Sequence, residues 1–594
     1  MQARSKRLLA AVERFGSGPR GLLRLVVLVL VLLGSVCFQG LQVDDLWHRG
    51  LFIKDPFWAI GPKHWWQLFT FFDGKPELVQ HARDLGMVPW WADDHVRLAF
   101  LRPLSCLTHV LDYALWPGLP GVMHLHSLAW YVALVLVAAS LYRRVLPPAA
   151  AALAALFYAV DHNHGGVAGW IANRNAIVAA TFGLAAVVFQ DRASRGEARA
   201  RWLGALCFGL GLLSGESALG AAGYLAAHAL TLDRRPLRER LRDLAPHAAV
   251  LVTWMAAYRI FHYGASGSGM YLDPGRAPLR VLAHVPEYAS LLIASEWGSI
   301  APETEIIMPP AARIGLVAMA FVIVLAGLAV LSRSLRTRAS SRFLLLGALL
   351  AILPCCATMP ATRLLLLPGV GLIGLLAEIV TDFVSGEHWN RGPIRVAAGY
   401  FTYWAGLGHL VLSPLLLGPM AWQMVILQDN LMQFAQSFPP DDTALPRQRV
   451  IAVGVPDPAF SGYIPLLRHD RAWTLPRASL GLTNGTRPSE VRRIADDVVE
   501  VHAPGGFYQW GTDFLERDPE VPLPVGTRHR LSDVTIEVTH ATEKGIPDVA
   551  RLTFDAAATD ARYRWVTWSD RKYVPFPLPA VGSSTTVPAQ KPGT

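Results

Sequence analysis

Two adjacent carboxylates, Asp44 and Asp45, stand in the segment LQVDDLWHRG. Such a pair suits proton abstraction. One carboxylate is held by a partner while the other accepts a proton, and a nearby cation or hydrogen bonds keep that base ionised. A solvated acidic cap after a helix explains the pair equally well. Arg102 lies in LRPLSCLTHVLDYALWPGLPGVMHLHSLAWY, an otherwise apolar stretch, just before a proline. A guanidinium fixed there can clamp a phosphate through two parallel N–H donors. It can also pair with Asp112 or a lipid headgroup. His124 and His126 open the next apolar run, where a satisfied interfacial histidine is the commoner outcome.

The segment AVDHNHGGVAGWIANRNAIVAATF carries Asp161, His162 and His164, followed by Asn173, Arg174 and Asn175. The histidine spacing is not of the HExxH kind and no third ligand is visible, so no metal is assigned. A divalent metal remains possible but not indicated. Arg174 falls inside an apolar run. A charge within a membrane span costs ~2.5–3.5 kcal/mol on insertion scales, so it must face a cavity or a partner. Glu216 in LLSGESALG, Arg259 in WMAAYRIFHYG and Arg363 in CATMPATRLLLLPG add charges beside other apolar runs. Cations and acids converging under one membrane face suit an anionic, lipid-linked ligand; a structural ion-pair network produces the same pattern. Asp93 and Asp94, in VPWWADDHVRLAF, read as structural loop acids, and Trp90 and Trp91 suit a headgroup interface.

The elements that position these residues follow from composition. The chain has 594 residues, is 52% hydrophobic and only 17% charged, with a mean hydropathy of +0.32. Soluble domains are near a quarter charged, so an ordinary soluble enzyme, a disordered chain, a disulfide scaffold and a coiled coil are all excluded. The five cysteines, Cys37, Cys106, Cys207, Cys355 and Cys356, have no paired spacing and read as small buried hydrophobes. Long apolar runs cover 21–39, 122–142, 167–190, 244–262, 311–332, 363–382 and 394–417. Shorter ones cover 147–161, 202–214, 216–232 and 343–357. These give an α-helical polytopic membrane protein with about eleven transmembrane helices.

Charge placement orients the spans. Arginines crowd alternate short loops at 143–144, 192–201, 234–242, 333–342 and 391–395, while the loops at 161–166, 214–217 and 355–362 carry no Lys or Arg. The positive-inside rule then places the N-terminus (1–20) in the cytoplasm. The first apolar run is a retained helix rather than a cleaved signal. Counting 281–299 as a span would invert every later loop, so it reads as interfacial or re-entrant. The membrane domain is 21–430, with a large first outer loop at 40–121. The tail is Pro-rich and charged, with alternating runs such as Val534–Val538 and Arg551–Phe554. These predict a C-terminal β-rich soluble domain over 440–582, followed by a disordered end at 583–594. Asn484-Gly485-Thr486 is a formal glycosylation sequon that reads better as a turn. The net charge of +9 reports topology rather than nucleic-acid binding.

In order along the chain come a DD pair after the first helix, an RPL segment leading to an H-L-x-x-L helix, a histidine-containing loop running into W-I-x-x-R, and an S-x-E-S-A segment. Together these resemble the membrane part of the GT-C glycosyltransferase superfamily, in particular the transmembrane and tetratricopeptide-repeat O-mannosyltransferases and their bacterial relatives. The resemblance implies sugar transfer from a polyprenyl-phosphate donor to an acceptor hydroxyl on a glycan, lipid or protein. The reaction would occur at the outer face of a bacterial inner membrane. It implies that Asp44 and Asp45 include the catalytic base. Arg102, His124, His164, Arg174 and Glu216 match positions of the motifs; Arg363 joins them as a phosphate or substrate ligand. The sequence departs from the pattern at Asp161, His162, Gly166, Gly215 and Ser127, and tetratricopeptide repeats are missing. A transporter or flippase, or a non-catalytic scaffold presenting the tail, are the competing readings.

Overall fold

The computed structural model describes residues 2–52, 64–308, 310–386, 392–509 and 511–590. The part of the first loop at 53–63, Arg391 of one basic loop and the last residues, 591–594, lie outside the described residues.

Six helices among the described residues are long and apolar enough to cross a membrane: Gly18–Phe38, Pro120–Val145, Ile171–Ser194, Ala311–Thr337, Pro368–Ser385 and Pro393–Ala421. Pro148–Val160, Ala200–Leu212 and Ala339–Cys355 are apolar but shorter. The sequence count of about eleven is therefore larger than the number of clear membrane-length helices. The run at 244–262 belongs to Leu237–Ile260, whose first turns carry Arg238, Glu239, Arg240, Arg242 and Asp243 and which contains Pro246. Residues 281–299 form one helix, Pro278–Gly298, with Pro286 inside it and its C-terminal half, Ser290–Trp297, buried.

Large apolar side chains remain exposed along the outer helices, among them Val31, Trp202, Val252, Ile314, Val322, Val396 and Leu415. Exposure of this kind on helices suits hydrocarbon rather than water. Helix contacts are close where glycine allows it. A Cβ on Gly169 would clash with the carbonyl oxygen of Ala421, so the short helix Gly165–Gly169 sits directly on Ser413–Ala421.

The C-terminal part is β-rich. One six-stranded sheet runs 584–587, 489–495, 498–502, 547–554, 534–541, 528–530 in spatial order. The alternating runs Val534–Ala541 and Pro547–Phe554 pair antiparallel. A four-stranded sheet is partly parallel. Its central strand Arg449–Val455 is buried throughout and lies parallel to both Ala478–Asn484 and Tyr563–Ser569, as an uninterrupted apolar run favours. Asn484-Gly485-Thr486 is a turn, with Asn484 Oδ1 accepting from the Thr486 backbone N–H and hydroxyl at 3.0 and 2.7 Å.

Two sequence expectations are corrected here. Residues 583–594 were expected to be disordered, but Ser584–Val587 forms an edge strand on Ser489–Ala495, with Val587 buried. Thr585, Thr586 and Val587 are β-branched and fit a half-covered sheet edge. Trp90 and Trp91 do not sit at a headgroup interface. Each is 1% exposed, in the core shared with Ile451, Leu480, Val491 and Phe507, and Trp90 Nε1 donates to the Leu482 carbonyl at 3.1 Å. Their ring faces are covered by the tail, a contact nearly four hundred residues away in sequence. Arg449, fully buried, completes this junction by binding Asp84 at 2.7 Å and Asp533 at 2.6 Å.

Candidate active site

Asp44 and Asp45 open the helix Asp44–Phe52, where carboxylates favour the positive end of the helix dipole. The preceding Val43 holds φ at +34°, a left-handed conformation costly for a β-branched residue. Gln428 braces it, accepting from the Val43 N–H at 2.9 Å and donating to the Leu41 carbonyl at 3.2 Å. The two carboxylates consequently face different ways.

Asp45 points inward and is 1% exposed. Its Oδ2 accepts from the Gln42 N–H at 3.0 Å and its Oδ1 from the Ala172 N–H at 2.6 Å. Burial pushes its carboxyl up to about 8, against the pull of those two donors. Asp45 thus ties the loop after the first span to the turn before Arg174. Asp44 lines two cavities at once. The Tyr463 hydroxyl donates to its Oδ1, while no described residue hydrogen-bonds its Oδ2. Burial raises its carboxyl above the usual range, and the Tyr463 hydroxyl and the Arg363 guanidinium oppose that rise.

The first cavity measures about 550 Å³ and is lined by Asp44, Arg102, Glu216, Arg259 and Arg363 together with apolar residues such as Trp254, Ala351, Leu364 and Leu367. Arg102 lies over the rings of Phe100 and Phe69, at 4.5 and 4.9 Å from their centroids, and its Nε donates to Glu216 at 2.7 Å. The Tyr258 hydroxyl donates to the other Glu216 oxygen at 3.2 Å. Arg363 donates to the Tyr271 hydroxyl at 3.1 Å, and Arg259 forms a two-point pair with Asp273 at 2.6 and 2.9 Å. His48 also faces this cavity; burial pushes it down to about 3, so its ring is neutral.

The second cavity measures about 760 Å³ and shares Asp44, Trp170, Tyr271 and Arg363 with the first. Its far wall is made by the tail, through Phe460, Tyr463, Thr512 and Glu516. Burial, reinforced by Asp457, pushes the Glu516 carboxyl up to about 8.

Of the residues singled out in sequence, Asp44, Arg102, Glu216 and Arg363 meet in the first cavity. Arg174, His124 and His164 line neither cavity. Arg174 is fully buried against Asp112 at 2.6 Å and donates to Ser127 and the Met123 carbonyl, both at 2.8 Å. A buried guanidinium needs such a partner, and Asp112 has filled the place expected for a phosphate. His124 is buried with Nε2 3.2 Å from the Gly40 carbonyl, which pins the end of the first span. His164 lies with Asp161 and Glu296, their ligand atoms all within 4.8 Å of one another. Residues of the kind that bind a divalent metal are therefore assembled there, although the sequence showed no third ligand. Tyr463 was missed entirely; its partner is 419 residues away, and a lone tyrosine in a tail carries no local signal.

No family model matches the chain, and no curated protein matches it. Several solved structures are similar. One is the archaeal oligosaccharyltransferase AglB from Archaeoglobus fulgidus in complex with an inhibitory peptide and a dolichol-phosphate. It is 12% identical, with a TM-score of 0.39, over 80% of this chain and 64% of that one. Another is ArnT from Cupriavidus metallidurans bound to undecaprenyl phosphate. It is 14% identical, with a TM-score of 0.35, over 75% of this chain and 85% of that one. The chain spans 64% of the archaeal protein's length.

Proposed function

We propose that this protein is a membrane glycosyltransferase that moves a sugar from a polyprenyl-phosphate donor to an acceptor hydroxyl, with Asp44 as general base. The observation that carries the reading is the place of Asp44, on the shared wall of two cavities with one carboxylate oxygen held and the other without a hydrogen-bond partner among the described residues.

The first cavity takes the donor. Its apolar wall suits a lipid chain, and Arg102 and Arg363 suit the phosphate. The second takes the acceptor, against the tail. Asp44 Oδ2 removes the proton from the acceptor hydroxyl as that oxygen attacks the anomeric carbon. The bond from that carbon to the phosphate oxygen breaks, and polyprenyl phosphate leaves with its new charge facing the arginines. Arg174 and Asp45 act at a distance by holding the first loop against the helix Arg174–Ser194. In this reading the reaction occurs at the outer face of a bacterial inner membrane, with the N-terminus cytoplasmic and 440–582 on the outer side, as the arginine distribution supports.

The test uses purified full-length chain with polyprenyl-phosphate sugars and measures released polyprenyl phosphate. Release that depends on an acceptor alcohol supports transfer. Movement of intact lipid across vesicles without release points to a flippase, and neither outcome to a scaffold.

A further inference from the structure

The tail brings a second acid to the larger cavity. Strands Arg449–Val455 and Ala478–Asn484 run parallel, and ligands of parallel sheets bind beyond the carboxyl ends of the strands. Polar side chains gather at those ends. Asp457, just past the first strand, accepts from the Ala459 N–H at 2.9 Å and from the Thr512 hydroxyl at 2.8 Å. Asp513 accepts from Asn484, the last residue of the second strand, at 3.1 Å and pairs with Arg487 at 2.6 Å. Glu516 stands beside both and reaches the cavity wall. It is 4% exposed, and its Oε2 has no hydrogen-bond partner among the described residues. Burial and the like charges of Asp457 and Asp513 oppose its ionisation.

The other charged groups of that wall are already engaged. Asp44 accepts from Tyr463. Glu303 Oε1 accepts from both the N–H and the hydroxyl of Thr362. Arg363, the one guanidinium among the lining residues, is shared with the first cavity and donates to Tyr271. His162 has its Nδ1 2.9 Å from Ser413 Oγ. Three carboxyl groups thus face one guanidinium, which disfavours an anionic acceptor. Trp47, Phe71, Trp170 and Phe460 supply aromatic surface, which attracts a cation. A buried acid without a counter-charge costs stability, and a bound cation offsets that cost.

We propose that Glu516 determines acceptor specificity by holding a protonated primary amine, so that the acceptor is an amine-bearing alcohol of the amino-sugar class. This rests on the reading of the second cavity as the acceptor's. On binding, the carboxyl proton is released to solvent and an ammonium–carboxylate pair forms in its place.

Full-length protein in lipid nanodiscs, without donor lipid, is titrated calorimetrically near neutral pH with methyl glucosaminide, methyl glucoside, methyl N-acetylglucosaminide and ethanolamine. The glucosaminide should bind at least about tenfold more tightly than the two neutral glycosides, the worth of one charge-assisted hydrogen bond. Glu516→Gln should abolish that preference, and Glu516→Asp should keep part of it. Ethanolamine binding as tightly as the glucosaminide would also support the amine site and assign it to a headgroup-like alcohol rather than a sugar. Glu516→Gln should melt no lower than wild type, because it removes an unpaired buried acid. No binding, or equal or tighter binding of the neutral glycosides to wild type, overturns the proposal, and this arm stands even if the variants fail to fold. A preference that persists in Glu516→Gln places the cation elsewhere, and a marked fall in that variant's melting temperature makes Glu516 structural; each overturns it too. Binding is read without turnover, so a failure here leaves Asp44 as the base, and absent transfer leaves the amine site standing.

Discussion

Replacing Asp44 by Asn removes a proton acceptor and little else. The Tyr463 hydroxyl can donate to an amide oxygen as it does to the carboxylate, and the volume is kept, so folding should change by less than about 1 kcal/mol. General-base assistance contributes ~10²–10⁴-fold in rate, or about 3–5 kcal/mol of barrier. The neighbouring substitution, Asp45→Asn, should behave in the opposite way. Asp45 accepts backbone N–H groups on both oxygens. An amide offers only one acceptor and turns its NH₂ toward the other donor. The loss of one bond and the unsatisfied group cost about 1–3 kcal/mol, with rate lost through a loosened loop. The assay is single-turnover release of polyprenyl phosphate, beside thermal unfolding of each variant in the same detergent. Asp44→Asn should melt like wild type and be nearly inactive; Asp45→Asn should melt earlier and keep part of its rate. An Asp44→Asn protein within about threefold of wild-type rate would refute the assignment of the base. So would an Asp45→Asn protein that is fully stable and dead.

Other consequences are as open to measurement. Tyr463→Phe removes a hydrogen bond that favours ionised Asp44, so its carboxyl rises further. Because the base works only when deprotonated, the acidic limb of the pH–rate profile should move to higher pH, with little change in the plateau. Arg174→Met takes the guanidinium from buried Asp112, leaving it only the His126 ring at 2.7 Å, and should cost about 3–5 kcal/mol, read as lost folded yield. The double variant Arg174→Met, Asp112→Leu should recover part of it. Arg102→Met should raise the donor KM at least tenfold, since one charged hydrogen bond is worth ~1.5–3 kcal/mol, while stability follows the modest value of a partly exposed pair with Glu216. Truncation after Gly582 removes the strand Ser584–Val587 and should speed hydrogen exchange in Ser489–Ala495 without changing transfer.

What the sequence revealed follows from the range of each signal. Apolar runs and arginine-rich loops are local, so the membrane helices and the strand pattern of the tail could be read directly. The DD pair was legible as a candidate, but its division of labour was not. That depends on Val43 in a left-handed conformation and on Gln428, Ala172 and Tyr463 arriving from elsewhere. Arg174 shows the opposite failure. The sequence requires only that it face a cavity or a partner; the partner is Asp112, which the sequence offered first to Arg102. The Asp161 triad stayed hidden because its third member, Glu296, is 132 residues beyond His164, outside any ligand spacing.

The hydroxyl of Tyr463 on Asp44 has a meaning for how the protein is made. A ribosome completes all six membrane-length helices among the described residues before it reaches residue 440, so the bundle can be inserted while the pocket still lacks a wall. The pocket around Asp44 is complete only when the final portion lies on the same side as residues 40–121 and has closed over Trp90 and Trp91. A molecule inserted upside down, or stalled before export of the tail, carries the acid but not its companion. Under the proposed role of Asp44, copies whose tail never reaches the bundle are expected to be inactive, because that carboxylate lacks the Tyr463 hydroxyl.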